Sequence, residues 1–263
     1  LPMNEDVKSK IKKGKNILAV HVKNNIGGAW LDAGIVEEPK PLTGESIQIA
    51  VQKSVILNAT QIAYKFTCGK IDLSLTFTSP LLINDLTILS RPVSYISAKV
   101  KSNDGAQHLV QLYFGASTDI AANTATQQIK AGKYTVNNLA ILKAGTVEQP
   151  ILKKKGDDLR IDWGYMYIAT PTAANVKQSV SQTTDMSKAF QPVAASISTG
   201  KHLMLNTIVN LGKVGSTEKE QLILIGYDDL YAVQYFTKNL KPWWKEATSA
   251  SIEQQLSLAV KDY

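Results

Sequence analysis

The fold is decided by the stretch Ile62-Ala-Tyr-Lys-Phe-Thr-Cys-Gly-Lys-Ile-Asp-Leu-Ser-Leu-Thr-Phe77. Apolar side chains recur in it at every second position, which is the period of a strand that buries one face. A helix would instead show a period of about 3.6 residues. The stretch therefore predicts two consecutive strands. Their apolar positions are Ile62, Tyr64, Phe66 and Cys68, followed by Leu73, Leu75 and Phe77.

The same period continues on both sides of this stretch. It begins upstream at Ile47 and returns downstream at Ile96 and Val110. Between the last two, Ser102-Asn-Asp-Gly105 contains an Asp-Gly pair, which predicts a hairpin turn. Closely spaced strands with turns between them predict an all-β fold, a large antiparallel β-sandwich. Further strands are predicted over 159–163, 165–168, 202–209 and 221–225.

One segment, 117–149, shows no clear alternation. Within it, Lys130-Ala-Gly-Lys133 is interpreted as a turn.

A C-terminal linker helix completes the predicted fold. Ile252, Leu256 and Val260 recur every four residues and so lie on one helical stripe. Ser251 stands three residues before Gln254, the spacing of a capping box. An apolar stripe needs a partner, so we expect the helix to pack on the sandwich or on a neighbouring chain.

The N-terminal residues show a different pattern, with two short apolar stretches before a linker. Asn16–Lys23 is predicted as a strand, 29–35 is a second apolar stretch, and the proline-rich 37–41 is interpreted as a linker. Two strands do not make a stable domain. They are expected either to join the following sheet or to be the tail of an upstream domain.

Composition bounds the class of protein. Of the 263 residues, 44% are hydrophobic and 19% charged, as in ordinary folded domains. No apolar run reaches the length of about 20 residues that a membrane span needs, and no signal peptide is visible. The net charge is +7, but the lysine clusters at 8–15 and 153–155 lack interleaved aromatic residues, so no nucleic-acid partner is expected.

Catalytic and metal-binding motifs are absent from the sequence. His21, His108 and His202 show no zinc-ligand spacing and are interpreted as ordinary strand residues. No nucleophile elbow or phosphate-binding glycine loop occurs. We expect no cofactor and no metal, and assign no catalytic residue.

Carboxylates flank aromatic residues at three places: Asp157-Asp158, Asp162 and Asp228-Asp229. Paired acids beside aromatic residues are typical of glycosidases. Aspartates are also common in solvated turns. From the residues alone, both interpretations stay open.

A series of short motifs indicates a protein family more specifically than the carboxylates do. Thr76-Phe-Thr-Ser-Pro-Leu-Leu-Ile-Asn-Asp-Leu86 and Ser90-Arg-Pro-Val-Ser-Tyr95 are followed by His108–Tyr113, Asp162-Trp-Gly164, Ile225-Gly-Tyr227, Trp243-Trp244 and Lys261-Asp-Tyr263. In this order they resemble the N-terminal domain of the glutaminase A family, over residues 41 to 263. Residues 13–35 are similar to the last strands of jelly-roll domains in β-galactosidase-like proteins.

The resemblance implies a secreted bacterial protein, periplasmic or at the cell surface, that hydrolyses L-glutamine to L-glutamate and ammonia. It implies three segments: 1–38, the tail of the jelly-roll domain with a linker; 39–242, the β-sandwich; and 243–263, a helix leading to a helical-toroid catalytic domain. That toroid would be the partner of this chain, which would itself lack the active site.

Two functions follow as expectations. The first is a non-catalytic front domain of a glutaminase-like hydrolase. The second is an accessory or glycan-binding domain of a secreted polysaccharide hydrolase, with a small molecule or glycan as ligand. An exposed aromatic platform formed by Trp163, Tyr165 or Trp30 would favour the second, because sugars stack on such faces.

Overall fold

The computed structural model describes residues 5–17, 19, 21, 23, 48–154, 160–173, 175–182 and 197–263. The chain divides into two compact units, Leu1–Gly44 and Glu45–Tyr263. In the first unit, a short helix, α1, spans Glu5–Lys10. The strand predicted over 16–23 is not seen at its described positions, which have no regular secondary structure. The predicted stretch 29–35 and the linker 37–41 lie outside the described residues.

The second unit confirms the prediction of an all-β antiparallel sandwich. Among the described residues, the large sheet has nine strands and the small sheet three. The large sheet runs β1 (Val51–Leu57), β2 (Gln61–Cys68), β3 (Ile71–Thr78), β4 (Val93–Ser102), β12 (Lys219–Asp228), β8 (Tyr165–Pro171), β7 (Leu139–Thr146), β6 (Ile129–Val136) and β10 (Ile197–Gly200). The small sheet runs β5 (His108–Ser117), β11 (Met204–Val214) and β9 (Val176–Ser181).

The remaining elements are short. A hairpin of β13 (Val233–Tyr235) and β14 (Lys238–Leu240) follows the sandwich. The helices are α2 (Leu86–Leu89), α3 (Trp243–Thr248) and α4 (Ile252–Asp262), with a 3₁₀ turn at Thr118–Ala121. None of the described helices is both long and apolar enough to span a membrane.

The opening stretch forms β2 and β3 as predicted. Ile62 pairs with Phe77 and Tyr64 with Leu75, so the alternating apolar side chains share one face of the large sheet.

The turn at Asp104-Gly105 does not make a hairpin. Gly105 has φ +78, as a tight turn allows, but β4 pairs with β3 and β12, while β5 pairs with β11 in the other sheet. The two strands bury their apolar faces against each other, since Val110 packs on the buried Val100. The turn therefore joins the two layers of the sandwich.

The segment 117–149 contains a hairpin that the pattern did not reveal. Strands β6 and β7 pair around Asn137 and Asn138, whose φ values of 49 and 60 are typical of a type I′ turn. The turn predicted at Lys130–Lys133 was wrong, because these residues lie inside β6. The strand predicted over 159–163 was also wrong at its described positions, 160–163, which form no strand.

Two apolar layers hold the unit together. The first lies between the sheets and includes Leu142, Ile168 and Leu205, all fully buried. The second lies on the outer face of the large sheet, where Leu256 and Ile252 of α4 pack in one cluster with the sheet residues Ile141, Tyr167, Ala169 and Leu224. The predicted docking of the apolar stripe on the sandwich is confirmed.

The cap of α4 also forms as predicted. The hydroxyl of Ser251 accepts from the backbone N–H of Gln254 at 3.3 Å. In return, the side-chain Oε1 of Gln254 accepts from the backbone N–H of Ser251 at 2.8 Å. Both bonds of the capping box are therefore present. That residues 243–263 lead to a further domain stays a prediction.

Candidate functional site

An open cleft of about 580 Å³ lies on the outer face of the large sheet. It is next to the sheet residues on which helix α4 packs. Strands β6, β7 and β8 form it, together with the turn that follows β7. The residues that line it are Lys130, Ala131, Gly132, Lys133, Tyr134, Lys143, Thr146, Val147, Gln149 and Tyr165.

The strand register creates the floor of this cleft. Lys130 pairs with Gly145, and Gly132 pairs with Lys143, so two lysines and two glycines alternate on one face. Their neighbours in sequence, such as Ala131, point into the buried core between the sheets. Because the glycines carry no side chain, the floor is low between the two lysines.

Gly145 is required by its surroundings. A Cβ atom at this position would lie 2.6 Å from Cδ1 of Tyr165 and 2.5 Å from the carbonyl oxygen of Gly164. The amide of Gln149 also closes in, donating to the Gly164 carbonyl at 3.0 Å and accepting from the Gly164 N–H at 2.6 Å. The missing side chain therefore lets the Tyr165 ring lie against strand β7.

Lys143 occupies the middle of the cleft. Its Nζ lies 3.8 Å from the centroid of the Tyr165 ring and 5.6 Å from that of Tyr167, within cation–π range. Burial lowers the pKa of the Lys143 ammonium, and the charges of Glu253 and Asp228 partly oppose this effect. The cation is thus held by aromatic rings in a half-buried position.

Helix α4 contributes an acid to the same region. The Tyr134 hydroxyl donates to Oε1 of Glu253 at 2.8 Å. Burial would raise the pKa of the Glu253 carboxyl, but hydrogen bonds from its own N–H, Tyr134 and Ser251, with the Lys143 charge, hold it below its usual value. Burial and the Glu253 bond raise the pKa of Tyr134. The Glu253 carboxylate thus ties helix α4 to Tyr134 at the edge of the cleft.

The predicted aromatic platform is only partly assembled. Tyr165 is half-buried and lines the cleft. Trp163 is also half-buried, and its Nε1 donates to the Tyr231 carbonyl at 3.1 Å in the loop after β12. Trp30 lies outside the described residues. A ligand-binding role for these three residues stays a prediction.

The aspartates singled out from the sequence hold loops together. Asp162 is fully buried and accepts from Lys154 at 2.7 Å and from Gln127 at 2.8 Å. Both carboxylate oxygens of Asp228 accept from Lys245 at 2.8 Å. For Asp229, burial and the Asp228 charge raise the pKa. Asp157 and Asp158 lie outside the described residues.

The histidines do not converge. His108 contacts Asp104 at 2.8 Å, His202 contacts Asp119 at 3.0 Å, and His21 is exposed. His202 lies before β11 and not in a strand as predicted. Across the described ranges, no three His, Cys, Asp or Glu side chains are grouped so as to hold a metal ion.

Sequence reasoning missed Lys143, Glu253 and the glycine floor. The available signal was alternation in Lys130-x-Gly132-x-Tyr134 and Lys143-x-Gly145, which places each set on one face of a strand. A glycine inside a strand often marks close approach of another group. Interpreting 130–133 as a turn hid this signal.

Comparison with known proteins gives a family. A family model described as "Domain of unknown function (DUF5127)" matches residues 60–263. No curated protein matches the sequence.

Two solved structures are similar to part of this chain. One is a protein assigned as a kojibiose phosphorylase, from the human microbiome (11% identity, 77% of this chain and 20% of that chain, TM-score 0.37). The other is the heparan sulfate lyase HepC from Pedobacter heparinus (5% identity, 68% of this chain and 21% of that chain, TM-score 0.34). The chain spans about a fifth of the length of each. At such TM-scores the likeness does not bear on function.

The assignment to the glutaminase A family was wrong. The family model that matches residues 60–263 is that of DUF5127. The motif residues behind the resemblance serve the fold: Asp85 caps α2 by accepting from the Ile88 N–H at 3.1 Å, and Tyr95 is buried under α4. The family model does not cover residues 13–35, so their jelly-roll resemblance stays a prediction.

Proposed function

The chain belongs to the DUF5127 domain family over residues 60–263, and we propose that it is an accessory, saccharide-binding domain of a secreted polysaccharide hydrolase. The binding site is the cleft beside α4. The secreted location and the parent hydrolase belong to this proposal.

The observation that carries the proposal is the combination of aromatic and polar groups around one floor. Tyr134 and Tyr165 line the cleft on either side of Gly132 and Gly145. A sugar ring presents C–H groups that pack on aromatic rings and hydroxyls that need donors and acceptors. Lys143 supplies a donor, and Glu253 on α4 fixes the Tyr134 ring by accepting from its hydroxyl.

The arrangement favours binding over hydrolysis. A glycosidase needs two carboxyl groups facing one glycosidic bond. Among the described acids near the cleft, Glu253 is hydrogen-bonded to Tyr134, and Asp228 is paired with Lys245. Both are engaged in holding the structure.

Isothermal titration calorimetry with a panel of neutral and acidic oligosaccharides tests this proposal. We expect millimolar or tighter binding to at least one of them, and a loss of about tenfold or more in Tyr165→Ala. Tyr235→Ala is the matched control, because Tyr235 is 63% exposed on the β13–β14 hairpin. Absence of binding to every saccharide, or equal losses in the two variants, would contradict the proposal.

A further inference from the structure

Of the three lysines that line the cleft, Lys130 and Lys143 face the same space, whereas Lys133 donates to the Gln178 carbonyl of β9 at 3.2 Å. Lys130 and Lys143 are diagonal neighbours across β6 and β7, because Lys130 pairs with Gly145 and Gly132 pairs with Lys143. Diagonal neighbours on one face are roughly 7 to 8 Å apart at their backbones, so both ammonium groups can reach one ligand. On the other diagonal Gly132 carries no side chain, while the Tyr165 ring and the Gly164 carbonyl lie against Gly145.

Neither lysine has an acceptor within the part of the chain that the structure describes. Lys143 contacts the Tyr165 ring but makes no hydrogen bond there and has no carboxylate within 4.0 Å. Lys130 is exposed and likewise unpaired among the described residues. By contrast, Lys154 and Lys245 are paired with Asp162 and Asp228.

The nearby acids Glu253 and Asp228 act on Lys143 through their charges, but neither accepts a hydrogen bond from it. Glu253 accepts from the Tyr134 hydroxyl, and Asp228 accepts from Lys245 through both oxygens. No described acceptor binds the three N–H donors of the Lys143 ammonium, so a ligand can bind them. A ligand that brings anionic oxygens would satisfy them and also gain the charge interaction.

We propose that the cleft is selective for acidic saccharides, whose carboxylate or sulfate group binds between Lys143 and Lys130 while the sugar ring lies over Gly132. The proposal rests on the saccharide-binding function above and adds the chemical class of the ligand.

The experiment compares acidic saccharides with uncharged counterparts that have the same sugar backbone. Calorimetry at constant ionic strength uses tetragalacturonate against its fully methyl-esterified form, and dextran sulfate oligosaccharides against the matching dextran oligosaccharides. We expect the acidic member of at least one pair to bind at least tenfold more tightly, and the preference to weaken as salt is added. The pair that shows it identifies carboxylate or sulfate as the group bound.

Variants link the preference to the two lysines. Lys143→Met keeps most of the apolar stem and should abolish the preference, and Lys130→Ala should reduce it several-fold. Lys213→Ala is the control, since it removes one exposed charge from the small sheet. Thermal unfolding of each variant checks that it is folded.

Each outcome bears on one of the two proposals. Equal binding of acidic and neutral members, still dependent on Tyr165, would overturn the acidic preference and leave saccharide binding intact. A preference that persists in Lys143→Met and Lys130→Ala would also overturn it. No binding of any saccharide would overturn both.

Discussion

Nη2 of Arg91 donates a hydrogen bond to Oδ2 of Asp262 at 2.8 Å and so joins the loop before β4 to the last turn of α4. The Arg91 side chain is only 3% exposed, whereas that of Asp262 is 39% exposed. Nε of Arg91 also donates to the buried Gln255 at 3.3 Å. Helix α4 is therefore held by a polar clamp as well as by its apolar stripe.

Asp262→Ala should destabilise the protein by about 2–3 kcal/mol, because it leaves a buried guanidinium without its charged partner. The direction of this change in stability distinguishes the clamp from a helix-dipole effect. A carboxylate near a helix C-terminus is disfavoured by the helix dipole, so its removal would be neutral or slightly stabilising if no clamp existed. Urea denaturation measures the change, with the exposed Lys261→Ala as control. Equal effects of the two substitutions would show that the clamp does not contribute.

Leu256→Asp should cost several kcal/mol or undock α4, because Leu256 is fully buried and the new charge would have no partner. Leu258→Asp on the same helix should change little, since Leu258 is 40% exposed. Melting temperature and limited proteolysis near Ser249 report the two effects. Unchanged melting and proteolysis in Leu256→Asp would mean that the helix does not pack in solution.

Gly164→Ala should destabilise strongly. Gly164 has φ +76, and a Cβ atom there would collide with the Asp228 carbonyl oxygen and lie 2.7 Å from Cα of Asp229. Gly69→Ala is the matched control: φ is +60 with nothing within 4 Å, so it should cost only about 1–2 kcal/mol for the backbone conformation. Thermal unfolding compares them, and a Gly164→Ala loss no larger than that of Gly69→Ala would contradict the packing around Asp228.

Asp229→Asn should stabilise the protein at neutral pH. Burial and the Asp228 charge raise the pKa of Asp229, so its contribution to stability is present below the usual value of 3.8 and is lost as pH rises through the folded-state pKa. The amide side chain of the Asp229→Asn variant does not ionise, so the variant keeps that stability at neutral pH. Melting temperatures should be higher than wild type at pH 7 and should converge near pH 3.

Asp72 provides a control in which the pKa is shifted in the opposite direction. Hydrogen bonds from Asn103 and Thr67 lower the pKa of Asp72, so its contribution is present above the usual value and disappears as pH falls through the folded-state pKa. Asp72→Asn should therefore be less stable than wild type at pH 7, and this difference should shrink in acid. The same sign for both variants would contradict the linkage.

The sequence by itself determined the local elements whose signals lie within a few residues. Alternation from Ile62 to Phe77 specified β2 and β3, since successive strand side chains point to opposite faces. Ser251, Gln254 and the Ile252–Leu256 stripe specified α4 and its cap, because residues three and four apart are neighbours on a helix. The buried stripe even required a packing partner, although it did not say which.

Tertiary structure decided how these elements combine. Asp104-Gly105 encodes a turn, but whether its flanking strands pair or face each other across the core depends on β11 and β12, about a hundred residues away. The cleft is likewise non-local. Lys130 and Lys143 become neighbours only through the register of β6 with β7, and Glu253 reaches Tyr134 only after α4 docks. Such contacts join residues whose spacing along the chain carries no periodic signal, so only the folded sheet brings the candidate site together.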